Sequence, residues 1–155
     1  MLNQKAQKFL RRNFNNLSEI TLCKGTYLYH GARCKNKIVG MRGNAMFSPF
    51  LHIGFDYAFK KDNSNDELSR VLFCCKLKKD IRIIVINTLD WNKFHSLLNK
   101  FDNSVPNSDY WLQNFLIPCL KKKYGESISG AYLAKTNEYI FDSANELLTI
   151  HRKIL

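Results

Sequence analysis

Thr136-Asn137-Glu138-Tyr139-Ile140-Phe141-Asp142 places an acid inside an aromatic and β-branched run, the composition of a strand. Successive side chains of an extended segment alternate faces, so Glu138, Ile140 and Asp142 share one side while Asn137, Tyr139 and Phe141 share the other. Glu138 therefore stands at the start of a half-buried strand. A carboxylate there is either a solvated strand-end charge or one held where chemistry uses it. Glu146, on a strand expected at 146–151, is the competing carboxylate and ranks below it.

The rest of the chain supplies partners for that strand. Residues 131–134 read as a short strand after a polar loop at 125–130. The apolar runs 71–77 and 81–86 are parted only by Lys78-Lys79-Asp80, which predicts a hairpin or two closely linked core strands. Lys24-Gly25-Thr26-Tyr27-Leu28-Tyr29-His30-Gly31 is an aromatic-rich strand bounded by glycines, with His30 at its end. Residues 31–45 read as a loop and 46–48 as a brief strand stopped by Pro49. Phe55, Ala58 and Phe59 form one side of a short helix that carries Tyr57. Asn87, Thr88 and Asp90 are candidate caps for a helix on which Trp91, Phe94, Leu98 and Phe101 recur at helical spacing. A second helix starts at Ser108-Asp109 with Trp111, Phe115 and Leu116 inward, and Pro118 ends or kinks it.

The 155 residues suit one domain spanning 1–155, and a hydrophobic fraction of 45% suffices for a core. A formal charge of +11 favours anionic partners, including nucleic-acid contact through a basic surface, beside the plainer reading of solubility. Cys23, Cys34, Cys74, Cys75 and Cys119 are odd in number and lack metal-type pairs, which suits buried thiols in a reducing compartment. No apolar run is long enough to span a bilayer. The expectation is an intracellular protein, cytoplasmic or nuclear. Leu2, Ala6, Phe9, Leu10 and Phe14 alternate with Lys5, Lys8, Arg11 and Arg12, an amphipathic basic helix that packs on the domain or, less expectedly, targets it.

In this order, Leu28-Tyr29-His30-Gly31, the stretch 46–57 and Asn137-Glu138-Tyr139-Ile140 resemble the ADP-ribosyltransferase fold, in its poly(ADP-ribose) polymerase and diphtheria-toxin branch. The resemblance covers roughly residues 26–150. It implies an α+β fold with two small antiparallel sheets around an NAD cleft and helices at the flanks. By the same resemblance His30 would bond an NAD ribose hydroxyl, the Gly31 backbone would receive the nicotinamide amide, and Tyr57 would stack on the nicotinamide ring. Glu138 would hold the 2'-hydroxyl of the nicotinamide ribose and offset charge on an oxocarbenium-like centre.

Two positions depart from the family pattern. Met46 stands at its earlier pocket Tyr, and Gly54 stands where many relatives have a Ser on the nicotinamide amide, with Ser48 near enough to compensate. Each missing neutral hydrogen bond is worth on the order of 1 kcal/mol, so weakened rather than abolished NAD binding is expected. Thr136 replaces the first acid of the Glu-x-Glu found in arginine-modifying relatives, so arginine is not expected as acceptor. The implied activity is NAD-dependent mono-ADP-ribosyl transfer to a macromolecule, protein or nucleic acid, selected by loops such as 122–130. Two other functions stay open: a binding module for NAD, ADP-ribose or nucleic acid without turnover, and an RNA-directed transferase of the tRNA 2'-phosphotransferase kind. Cys23, His30 and Cys34 match no zinc spacing, so no metal is expected.

Overall fold

Strand-forming residues fill both faces of the central segments. The computed structural model describes residues 16–38, 40–41, 45–60, 68–101 and 112–155, with isolated positions before residue 16. In chain order the elements are Ser18–Leu22 (β1), Tyr27–Cys34 (β2), Met46–Phe47 (β3), Leu51–Phe59 (α1), Ser69–Leu77 (β4), Ile81–Ile86 (β5) and Thr88–Phe101 (α2). A π-helical turn, Leu112–Leu116, runs into Ile117–Tyr124 (α3), and Ile128–Leu133 (β6), Glu138–Phe141 (β7), Ala144–Leu147 (α4) and Leu148–Ile154 (β8) complete the chain. The expected N-terminal helix and the start of the second helix at Ser108-Asp109, with Trp111, lie outside the described residues, although Phe14 is buried.

Two sheets form an α+β architecture, one ordered β1-β5-β6-β7-β3 and the other β2-β4-β8. They are not wholly antiparallel, because β5 and β6 run parallel. The helical crossover between those strands, α2 to α3, makes the parallel pairing possible. The hairpin expected of 71–77 and 81–86 is replaced by a change of sheet: β4 pairs with β2 and β8, whereas β5 pairs with β1 and β6. Both strands are apolar on both faces, so each needs a strand on either side and a cover above and below.

The five-stranded sheet is a middle layer. Ile84, Ile86, Ala131 and Ile140 pack toward the helices with Phe94, Leu116, Ile117 and Leu120. Ile83, Tyr139 and Phe141 pack toward the three-stranded sheet with Leu28, Phe47, Phe73 and Leu148. β7 is therefore buried on both sides, more deeply than alternation alone implied, and Glu138 is its least buried residue.

Asn87 caps α2: its Oδ1 accepts the Asp90 backbone N–H at 2.8 Å while its Nδ2 donates to the Asp90 carboxylate. Pro118 does not end the helix but stands in the first turn of α3, where the π-turn gives way to α-helix, the irregularity expected of it. Its missing N–H costs nothing in a first turn, and the wider π-turn immediately before it suits a ring that clashes with the regular helix four residues back. The strand expected at 146–151 is divided, its first residues forming α4. No helix among the described residues is long and apolar enough to cross a membrane.

Burial pushes the Cys75 thiol from the ordinary 9.0 up to about 12, and raises Cys74 and the Tyr139 phenol as well. The unfolded chain therefore releases these protons first. The stability tied to them is complete below about pH 9 and is lost as pH rises toward 12. Alkylation followed by mass spectrometry should label exposed Cys23 and Cys34 in the native protein, and Cys75 only on unfolding. Prompt native labelling of Cys75 would contradict its burial.

Candidate functional site

Strand β3 joins the two sheets. On one side Met46 lies opposite Ile140 and Phe47 opposite Tyr139; continued by one residue, that register sets Ser48 opposite Glu138. On the other side Ser48 exchanges two backbone hydrogen bonds with Tyr29, each 2.8 Å. The three blocks of sequence that carry the resemblance thus meet along one seam.

His30 is buried at 8% exposure. Its Nδ1 lies 2.7 Å from the Met46 carbonyl oxygen. A carbonyl only accepts, so Nδ1 carries a proton. The imidazole stacks on Phe73 at 6.1 Å and sits 5.5 Å from Phe47. These contacts fix the orientation of the ring. By strand alternation Glu138 belongs to the Met46 and Ile140 face, whereas His30 lies with Phe47 between the sheets, so Ser48 stands between the two.

Gly31 presents its backbone to the same seam. Tyr29 points its N–H and C=O away from β4 toward Ser48, and residues two apart in a strand point alike, so those of Gly31 face the open edge beyond Ser48. A Cβ at Gly31 would lie 2.1 Å from the Gly54 carbonyl oxygen, and one at Gly54 would lie 3.0 Å from Leu72 Cδ1 and 3.1 Å from Tyr29 Cβ. The absence of a serine at 54 thus has a packing cause: α1 lies directly on β2.

Ser48 is 2% exposed, and its Oγ accepts the Phe50 N–H at 3.0 Å. Its backbone and hydroxyl oxygen serve the seam and the entry to α1. Met46 is partly buried against the helix-side core. Tyr57 is no core aromatic: it is 57% exposed, and the Arg33 guanidinium lies 5.2 Å over its ring. That cation was not singled out in the sequence, where Arg33 reads as part of a polar loop.

Glu138 follows a turn in which Asn137 takes a left-handed φ of 54° and accepts the Tyr132 hydroxyl at 2.8 Å, a role suited to Asn. Asp142 is paired with Lys121 at 2.7 Å, and Glu146 is exposed on α4. Gln113, also not singled out, donates to the Phe141 and Asp142 carbonyls at 3.0 Å each and ties the π-turn to the end of β7. No cluster of three metal-binding side chains occurs among the described residues.

Comparison with protein-family models, with curated proteins and with solved structures gave no match.

Proposed function

We propose that this chain is an NAD-dependent mono-ADP-ribosyltransferase on an ADP-ribosyltransferase-like fold. The observation that carries the reading is the seam itself: His30 bonds the Met46 carbonyl, Ser48 bridges to Tyr29, and β3 pairs with β7, whose first residue is Glu138. In this reading NAD lies across the end of β3, with His30 on one side and Glu138 on the other. His30 Nε2 accepts a ribose hydroxyl, the Gly31 backbone takes the carboxamide, and Tyr57 covers the nicotinamide ring.

The glycosidic C–N bond breaks with its electron pair leaving on nicotinamide, which departs neutral and needs no general acid. Positive charge then grows on the ribose ring, and the Glu138 carboxylate offsets it while accepting a hydrogen bond from the 2'-hydroxyl. The acceptor atom bonds the anomeric carbon and gives its proton to solvent or a base on the acceptor.

The test is nicotinamide release from NAD by the purified protein, with labelled NAD followed into protein and RNA separately. Release with label in either fraction supports the proposal and names the acceptor class. Arg33 over the Tyr57 ring and Met46 at the seam favour a second reading, an NAD or ADP-ribose binding module. Saturable binding by titration with no release would select it.

A further inference from the structure

The charge of +11 is spread unevenly over the two sheets. Strands β2, β4 and β8 contain no Asp or Glu and carry Arg33, Arg70, Lys76, Arg152 and Lys153. The strands of the five-stranded sheet carry one cation, Arg82, which is paired with Glu19.

The outer face of the three-stranded sheet has two ends. Helix α1 covers the end around Gly31 and Leu72. The other end holds Tyr27, Lys76, His151 and Arg152. Tyr27 is 43% exposed, Lys76 Nζ lies 5.7 Å over its ring, and His151 meets the ring edge-on at 5.7 Å. The register shift between Cys74 and Cys75 makes His151 the extra residue of a bulge, and the bulge brings it beside Tyr27. Lys24 precedes the turn at Gly25, where an added Cβ would lie 3.8 Å from Lys76 Cε. Asp80 accepts the Lys24 backbone N–H at 2.7 Å, and Glu146 is exposed on α4 just before β8.

An exposed aromatic on a strand surface, ringed by cations on acid-free strands, can stack a base and hold the phosphates on either side of it. A duplex hides its base faces and gives Tyr27 nothing to stack on. An acidic protein would pair with the cations and leave the ring unused. We propose that this uncovered end binds a single-stranded nucleic acid, with Tyr27 and His151 against bases and Lys24, Lys76 and Arg152 along the backbone. The site is separate from the seam and does not depend on NAD turnover.

Fluorescence anisotropy with a labelled oligouridine of about twelve nucleotides, within the range single-strand sites occupy, tests it. Tyr27→Ala is expected to weaken binding about tenfold or more. Lys76→Ala and Arg152→Ala should each lower the slope of log affinity against log salt by about 0.7, while Lys93→Ala, exposed on α2, leaves binding near the wild-type value. Should Tyr27→Ala unfold, Tyr27→Leu keeps apolar bulk and removes only the ring, and the same loss is expected of it. Wild-type affinity in the Tyr27 variants overturns the proposal. So does equal affinity for a duplex of the same length, or equally strong competition by polyglutamate.

Discussion

Glu138→Gln is expected to slow nicotinamide release by about 100- to 1000-fold, the loss that follows removal of a group aimed at developing transition-state charge. Glutamine keeps the shape and the hydrogen-bonding oxygen but not the charge. The change falls at the first and least buried residue of β7, so the fold should persist and the melting temperature and circular dichroism should match the wild type. The same two measurements separate this role from a structural one, since a strand-end charge with no chemistry would leave the rate unaltered. Other acids on this part of the chain are poorer candidates: Asp142 is held by Lys121, and Glu146 projects from an exposed helical turn. A wild-type rate in Glu138→Gln would end the assignment of Glu138 and, with it, the main support for a transferase.

Strand type was legible at Tyr139, Ile140 and Phe141 because aromatic and β-branched residues fit a pleated surface whatever their neighbours are. Sheet membership was not. Residues 71–77 and 81–86 are both apolar runs, and a three-residue connection suits either a hairpin or two closely linked strands; the chain takes the second course and crosses between layers, where both strands are covered on both faces. At Pro118, expected to end or kink its helix, the local rule shows as a change from π-turn to α-helix immediately before the ring. At the seam, Glu138 was visible as an acid at a strand end, whereas His30, expected at a strand end, lies within β2 because that strand runs on through the expected loop to Cys34. The bond from His30 to the Met46 carbonyl and the bridge from Ser48 to Tyr29 were not visible, because backbone acceptors carry no side-chain signature. Gly54, singled out for a hydroxyl it lacks, is also a contact surface for Leu72 and Tyr29.

That contact makes Gly31→Ala a strongly damaging small substitution, as Gly130→Ala is against the Ile140 carbonyl, at about 3 kcal/mol, the upper end of overpacking costs. The added methyl would sit 2.1 Å from the Gly54 carbonyl oxygen and 2.9 Å from the Ala58 nitrogen, both backbone atoms of α1. Neither can rotate aside, so relief requires lifting the helix from β2. Gly54→Ala meets Leu72 Cδ1 at 3.0 Å and Tyr29 Cβ at 3.1 Å; the leucine end can turn, and about 1 kcal/mol is expected. Gly40→Ala has nothing within 4 Å and should be neutral or slightly stabilising, because alanine restricts the unfolded chain. Urea unfolding gives all three from the midpoint, with an unchanged slope as the sign that only stability has moved. The order Gly31, then Gly54, then Gly40 is the result required. Equal small losses at Gly31 and Gly40 would mean that α1 does not lie on β2. The packing reason for the missing serine would then fail, while the expected effect of Glu138→Gln would stand untouched.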